Sequence, residues 1–156
     1  MIHLKKMSDE TFAKFKTDSQ ASYSAHLAAV ETVPIEEALR NAAEQFGKLV
    51  PQGLNTAGQT FFDVIETASG ENIGFLWLGL QQKFGRKVAS INDIQISPAK
   101  RGKGFGKALM KLVEEESLRA GASRVRLHVF NHNEAAKRLY LSMGFQATSW
   151  EMRKDL

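Results

Sequence analysis

The apolar period of the chain changes abruptly at Pro98. Before it, FFDVIET (residues 61–67), NIGFLWLGLQ (72–81) and KVASINDIQIS (87–97) read as three strands. NIGFLWLGLQ is apolar on both faces, which predicts a central position. After it, Leu109, Leu112, Val113 and Leu118 recur at helical spacing through GKGFGKALMKLVEEESLRAG (102–121), a helix closed by Gly121. RVRLHVF (124–130) then reads as a strand, NEAAKRLYLSMG (133–144) as a helix and FQATSWEMRK (145–154) as a last strand. Three strands in succession predict antiparallel pairing. A strand, helix, strand crossover predicts a parallel, right-handed connection. The chain is therefore expected to fold as an α/β domain with a mixed, mostly antiparallel sheet of six or seven strands, flanked by about four helices.

The N-terminal part completes that order. IHLK alternates as a short strand does. Ser8 then caps a helix from about Asp9 to Ala29, with Thr11 rather than Glu at the reciprocal position. In IEEALRNAAEQFGKL (35–49), Ile35, Ala38, Leu39, Ala42 and Phe46 fall on one helical face, and Pro34 suits the first turn. PQGLNTAG (51–58) is too rich in turn formers for regular structure. No repeat or linker divides the chain, so residues 1–156 are expected to form a single domain. With 43% hydrophobic residues there is apolar material for one core.

Composition removes several classes of function. The chain has no cysteine, hence no disulfide framework, thiolate metal site or cysteine nucleophile. It has no apolar run long enough for a membrane span and no export signal, so a cytoplasmic protein without a membrane partner is expected. His128 and His132 straddle a strand end with no carboxylate at ligand spacing, and no metal is expected. Charge is uneven: residues 1–95 carry 9 Lys and Arg against 11 Asp and Glu, and residues 96–156 carry 12 against 6. A basic C-terminal half suggests an anionic ligand on that side. Nucleic acid is a poor fit, because Phe61, Phe62, Phe75 and Trp77 lie on strands without interleaved basic residues.

The anion has an evident place. IQISPAKRGKGFGKALM (94–110) runs from a strand through a turn bearing Arg101, Gly102, Lys103, Gly104 and Gly106 into the long helix. Glycines admit close backbone approach, and the first amides of a helix attract a phosphate group. Arg101, Lys103 and Lys107 add charge. Two familiar phosphate loops do not fit. Lys107 is followed by Ala108 where a Walker loop needs Ser or Thr. The glycine spacing is G-x-G-x-G, late in the chain, rather than an early G-x-G-x-x-G.

On these residues the chain resembles the GCN5-related N-acetyltransferases, the GNAT superfamily. Their acetyl-CoA motif Q/R-x-x-G-x-G/A is matched by Arg101-Gly102-Lys103-Gly104-Phe105-Gly106. A second block, L-x-V-x-x-x-N-x-x-A-x-x-L-Y-x-x-x-G-F, is matched by residues 127–145, with Leu127, Val129, Asn133, Ala136, Leu139, Tyr140, Gly144 and Phe145 at its fixed positions. The resemblance implies an acyl-CoA N-acyltransferase fold and acetyl transfer from acetyl-CoA to a primary amine. It implies that backbone groups of Ile94, Gln95 and Ile96 pair with the pantetheine arm as an added strand does. The amides of residues 101–107 would hold the pyrophosphate, Asn133 would bond the cofactor arm, and Tyr140 would sit near the sulfur. A CoA-binding regulator without catalysis is the alternative reading, and a monomer or a homodimer is expected.

The chemistry restricts the roles further. Acetyl transfer needs a neutral amine, a donor for the tetrahedral oxyanion and an acid for the leaving thiolate. Tyr140 suits the acid, with a phenol that ordinarily titrates at about 10; a backbone N–H near Ile96 would be the oxyanion donor. Asn133 also suits the N-cap of the helix that follows it. Candidates for the base are His128, Asp93 and Glu66, with ordered water as the alternative. The acceptor amine, on a small molecule or a peptide, is left open. The resemblance implies an acceptor groove shaped by the first two helices and the loops after them, and Asp18, Glu31, Glu36 and Glu37 are the acids expected to draw a cationic amine to it.

Overall fold

The structure, a computed structural model, describes residues 1–156. The elements run β1 (Ile2–Lys6), α1 (Asp9–Glu31), α2 (Ile35–Leu49), β2 (Gln59–Glu66), β3 (Asn72–Lys83), β4 (Arg86–Ile96), α3 (Phe105–Arg119), β5 (Arg124–Leu127) and α4 (Glu134–Ser142). The strands form one sheet in the order β1-β2-β3-β4-β5, antiparallel throughout except for the parallel pair β4 and β5. β3 is therefore central, as its apolar faces require. No helix is long and apolar enough to cross a membrane.

Local signals start α1 where they should. The Ser8 hydroxyl accepts the Thr11 N–H at 3.2 Å, and Thr11 returns the bond by accepting the Ser8 N–H at 3.0 Å, so a threonine completes the capping box. The helix stops at Thr32, which adopts a left-handed conformation at φ 56°.

The sheet buries both faces, and strand alternation sorts the side chains between them. Phe61, Phe75 and Trp77 meet Phe15 of α1 and Phe46 of α2 on one side. Phe62, Leu76, Leu78 and Ile91 meet Met110 and Val113 of α3 on the other. Ile73, Leu76 and Met110 are fully buried, and burial of side chains of this size stabilises the fold by about 1.5–3 kcal/mol each.

Three expectations are corrected. The sheet has five strands rather than six or seven, and β5 ends at Leu127 rather than Phe130. FQATSWEMRK forms no strand. Phe145 is drawn inward beside Tyr140, with ring centroids 5.8 Å apart. Arg153 reaches back to the end of α1, donating to the Val30 carbonyl at 2.7 Å and pairing with Glu31 at 3.5 Å. Anchored to helices at both ends, the segment does not lie along β5, and Trp150 is 80% exposed.

One irregularity positions everything that follows. Trp77 pairs with Asp93, but the next residue, Leu78, pairs with Ile91, so Asn92 is an extra residue in β4. The bulge is pinned by side chains. Asn92 lies across Gly79, where a β-carbon would stand 2.8 Å from its amide nitrogen. It donates to Gln59 Oε1 at 3.1 Å, the same oxygen that accepts Trp77 Nε1–H at 2.6 Å.

Candidate active site

The β4–β5 ladder runs from the pair Val88 and Arg124 to the pair Ile91 and Leu127, then stops where the bulge begins. Beyond it the two strands part. A cleft of about 770 Å³ occupies the gap, walled by α1 and α2 on one side and by Tyr140 and Asn133 of the α4 region on the other.

The exposed edge of β4 has a defined pattern. The Ser97 N–H bonds the Ile73 carbonyl at 2.8 Å. By antiparallel alternation Gln95 then also bonds β3, while Ile94 and Ile96 turn their backbone groups toward the gap. Arg101 Nε–H donates to the Ile96 carbonyl at 2.9 Å, and the Ile94 N–H supports the Asp93 carboxylate. The Ile94 carbonyl and the Ile96 N–H have no strand partner there. Of the three expected edge residues, Gln95 instead spends its backbone on β3 and presents its side chain to the cleft.

Beyond the edge, Gly102 and Gly104 take φ values of 74° and 83°, which a side chain would resist. Gly104 is the N-cap of α3 and supplies no capping side chain. The first intrahelical bond is Ala108 N–H to the Gly104 carbonyl, so the amides of Phe105, Gly106 and Lys107 point out of the helix unpaired. Phe105 packs its ring among Ile2, Val64 and Leu109 and offers only backbone. Gly106 serves packing as well: a β-carbon there would stand 3.1 Å from Leu139 of α4. Arg101 is the loop residue that lines the cleft itself; Gly102 to Lys107 lie outside its lining.

Asp93 and Tyr140 face one another across the gap. Burial pushes the Asp93 carboxyl above the usual carboxylate range, against the opposing support of a hydrogen bond from Ser19 Oγ–H and of the Ile94 N–H. Burial likewise raises the Tyr140 phenol, and the charge of Asp93 raises it further. The phenol is thus held protonated at neutral pH. His128 lines the same cleft, edge-on to the Phe130 ring at 5.2 Å. Asn133 lines it too and caps α4, accepting the Ala136 N–H at 3.2 Å.

Other expected residues lie elsewhere. Glu66 is held by Lys100 at 2.7 Å and takes a hydrogen bond from Ser69, away from the cleft. Asp18 pairs with Lys14, Glu31 pairs with Arg153, and Glu36 and Glu37 are exposed on the first turn of α2. None of these four acids lines the cleft.

The structure adds residues that the sequence reading passed over. Ser19 sits one turn beyond Phe15 on the buried face of α1, a polar residue at an apolar position, which was the available signal. His26 of α1 meets His132 after β5, Nδ1 to Nε2 at 2.7 Å, and both rings stack on Phe130. The bulge also left a mark in the spacing: Ile91 and Ile94 are three apart, where Ala89 and Ile91, and Ile94 and Ile96, are two apart.

Residues 23–145 match the model of the acetyltransferase (GNAT) family. YdgE of Bacillus subtilis, named an uncharacterized N-acetyltransferase, is 31% identical over 98% of this chain and 97% of its own. A crystal structure of YycN from Bacillus subtilis superposes with a TM-score of 0.93, at 28% identity, over 100% of this chain and 99% of that one. The thialysine N-epsilon-acetyltransferase of Mus musculus is 35% identical over 71% of this chain and 64% of its own. The matched span contains the parted strands, the glycine loop and Tyr140, and with the full-length likeness to YdgE it places this chain in the GNAT family of acetyltransferases.

Proposed function

We propose that the chain transfers the acetyl group of acetyl-CoA directly to the primary amine of a small acceptor. The observation that carries this reading is the convergence on one gap of an unpaired strand edge and a protonated phenol, with an open helix N-terminus just beyond the end of that edge. The free groups of Ile94 and Ile96 suit the amide-bearing pantetheine arm as a partner strand. The unpaired amides of residues 105–107, with Arg101, Lys103 and Lys107, suit a pyrophosphate. The mouse relative, named for an ε-amine of thialysine, supports a small-molecule acceptor.

Each residue then has a task. The amine nitrogen attacks the thioester carbonyl and forms the new C–N bond. A backbone N–H near Ile96 steadies the oxyanion. When the C–S bond breaks, Tyr140 gives its phenolic proton to the thiolate. The proton lost by the attacking nitrogen goes to Asp93 or His128, directly or through water.

Calorimetric titration with acetyl-CoA tests the reading. The wild type should bind, and an Arg101→Ala, Gly104→Ala double variant should bind at least about tenfold more weakly while remaining folded. Failure of the folded wild type to bind overturns it.

A further inference from the structure

The charges in the cleft are sparse and separated. Asp93 is the sole carboxylate among the lining side chains, and the fixed cations are Arg101 and Arg126. Arg101 donates its Nε–H to the Ile96 carbonyl and, in the acetyl-transfer reading, is committed to the pyrophosphate. Arg126 is exposed and takes part in none of the chain's ion pairs.

Its position follows from the ladder. Arg126 pairs with Ser90, whose hydroxyl accepts Gln81 Nε2–H at 3.2 Å. Ser90 opposes Gly79 and Asp93 opposes Trp77, so the bulge puts Ser90 and Asp93 on the same sheet face, the face covered by α1 and α2. Arg126 shares that face by its pairing, and His128 by alternation. Gly79 and Trp77 are two residues apart. The backbone of Arg126 therefore stands about 7 Å from that of Asp93 along the strands and one strand spacing across, with both side chains on the cleft face.

Resting on the acetyl-transfer reading, we infer that the acceptor is an amine that carries an anionic group, a carboxylate or a phosphate, bound by Arg126 while the amine lies at the Asp93 and Tyr140 end. An exposed guanidinium without a partner offers a planar pair of donors to an oxyanion. A polyamine or a lysine-rich peptide would bring further positive charge into a cleft with a single carboxylate, and the acids of α1 and α2 that could have met it lie outside.

Four amines of matched length, an ω-amino carboxylate, an aminoalkyl phosphate, an amino alcohol and a diamine, distinguish the possibilities when release of the CoA thiol is followed. In the wild type, one or both anionic amines should show a KM at least about tenfold below that of the amino alcohol. The lower of the two identifies the anion. Arg126→Gln should remove that advantage with kcat changed by no more than about twofold, and Arg126→Lys should restore part of it. Preference for the amino alcohol or the diamine, or an anion preference that survives in Arg126→Gln, overturns the inference. If no amine is acetylated, NMR titration of the same amines in the presence of CoA separates the two readings. Binding of anionic amines that is lost in Arg126→Gln upholds the anion site while acetyl transfer fails. Absent or Arg126-independent binding overturns the site itself.

Discussion

At Asp93, the proposed role as proton acceptor and the stability of the fold pull in opposite directions. Burial raises its carboxyl above the usual range, so the folded state binds the proton more tightly than the unfolded chain does. Stability is then greatest below the unfolded value and falls as pH rises through the folded one, leaving the ionised carboxylate as a penalty at neutrality. Asp93→Asn should therefore raise the melting temperature at pH 7 by about 2–4 °C, the shift that ~1 kcal/mol gives in a chain of this length. That gain should vanish near pH 4, as paired thermal melts would show. Tyr140 presents the complementary case. Its phenol is held protonated, and Tyr140→Phe should lower kcat by about a hundredfold with little change in the acetyl-CoA dissociation constant, measured by steady-state kinetics and calorimetry.

Among the elements, the glycines of β3 separate fold from site. A β-carbon at Gly74 would stand 2.1 Å from the Gln95 carbonyl oxygen, so the backbone of β4 itself would have to move. Gly74→Ala should cost about 3 kcal/mol, read by urea denaturation. At Gly79 the obstacle is the free end of the Asn92 side chain. Gly79→Ala should cost less than about 1 kcal/mol yet weaken acetyl-CoA binding by displacing the residue that pins the bulge. The elements themselves were largely legible: α2 lies where IEEALRNAAEQFGKL places it, and β3 is central because both its faces are apolar. FQATSWEMRK misled because alternation makes a strand only when an edge accepts it, and Phe145 and Arg153 commit the segment to helices instead.

Across the whole molecule, α1 and the segment between β5 and α4 are fastened over the cleft by His26 and His132. The bond between their ring nitrogens needs one of them unprotonated. Burial and the neighbouring His132 charge both lower the His26 pKa. A lowered folded value means that the unfolded state takes up the proton first, so stability is full above about pH 6.5 and declines as pH falls below it. The melting temperature of the wild type should fall more between pH 7.5 and 5 than that of His132→Gln. Such long-range pairs were beyond sequence reading, because residues 26 and 132 carry no mark of their proximity. The cleft itself has a simpler origin, one residue more in β4 than in its β3 partner at the point where the ladder to β5 ends. No side chain has been hollowed out to make it, so point substitutions can blunt the opening but leave it in place. Deletion of the single codon for Asn92 would leave β4 paired one-to-one with β3 and should narrow the gap at its edge, which makes the cleft a trait of chain length more than of composition.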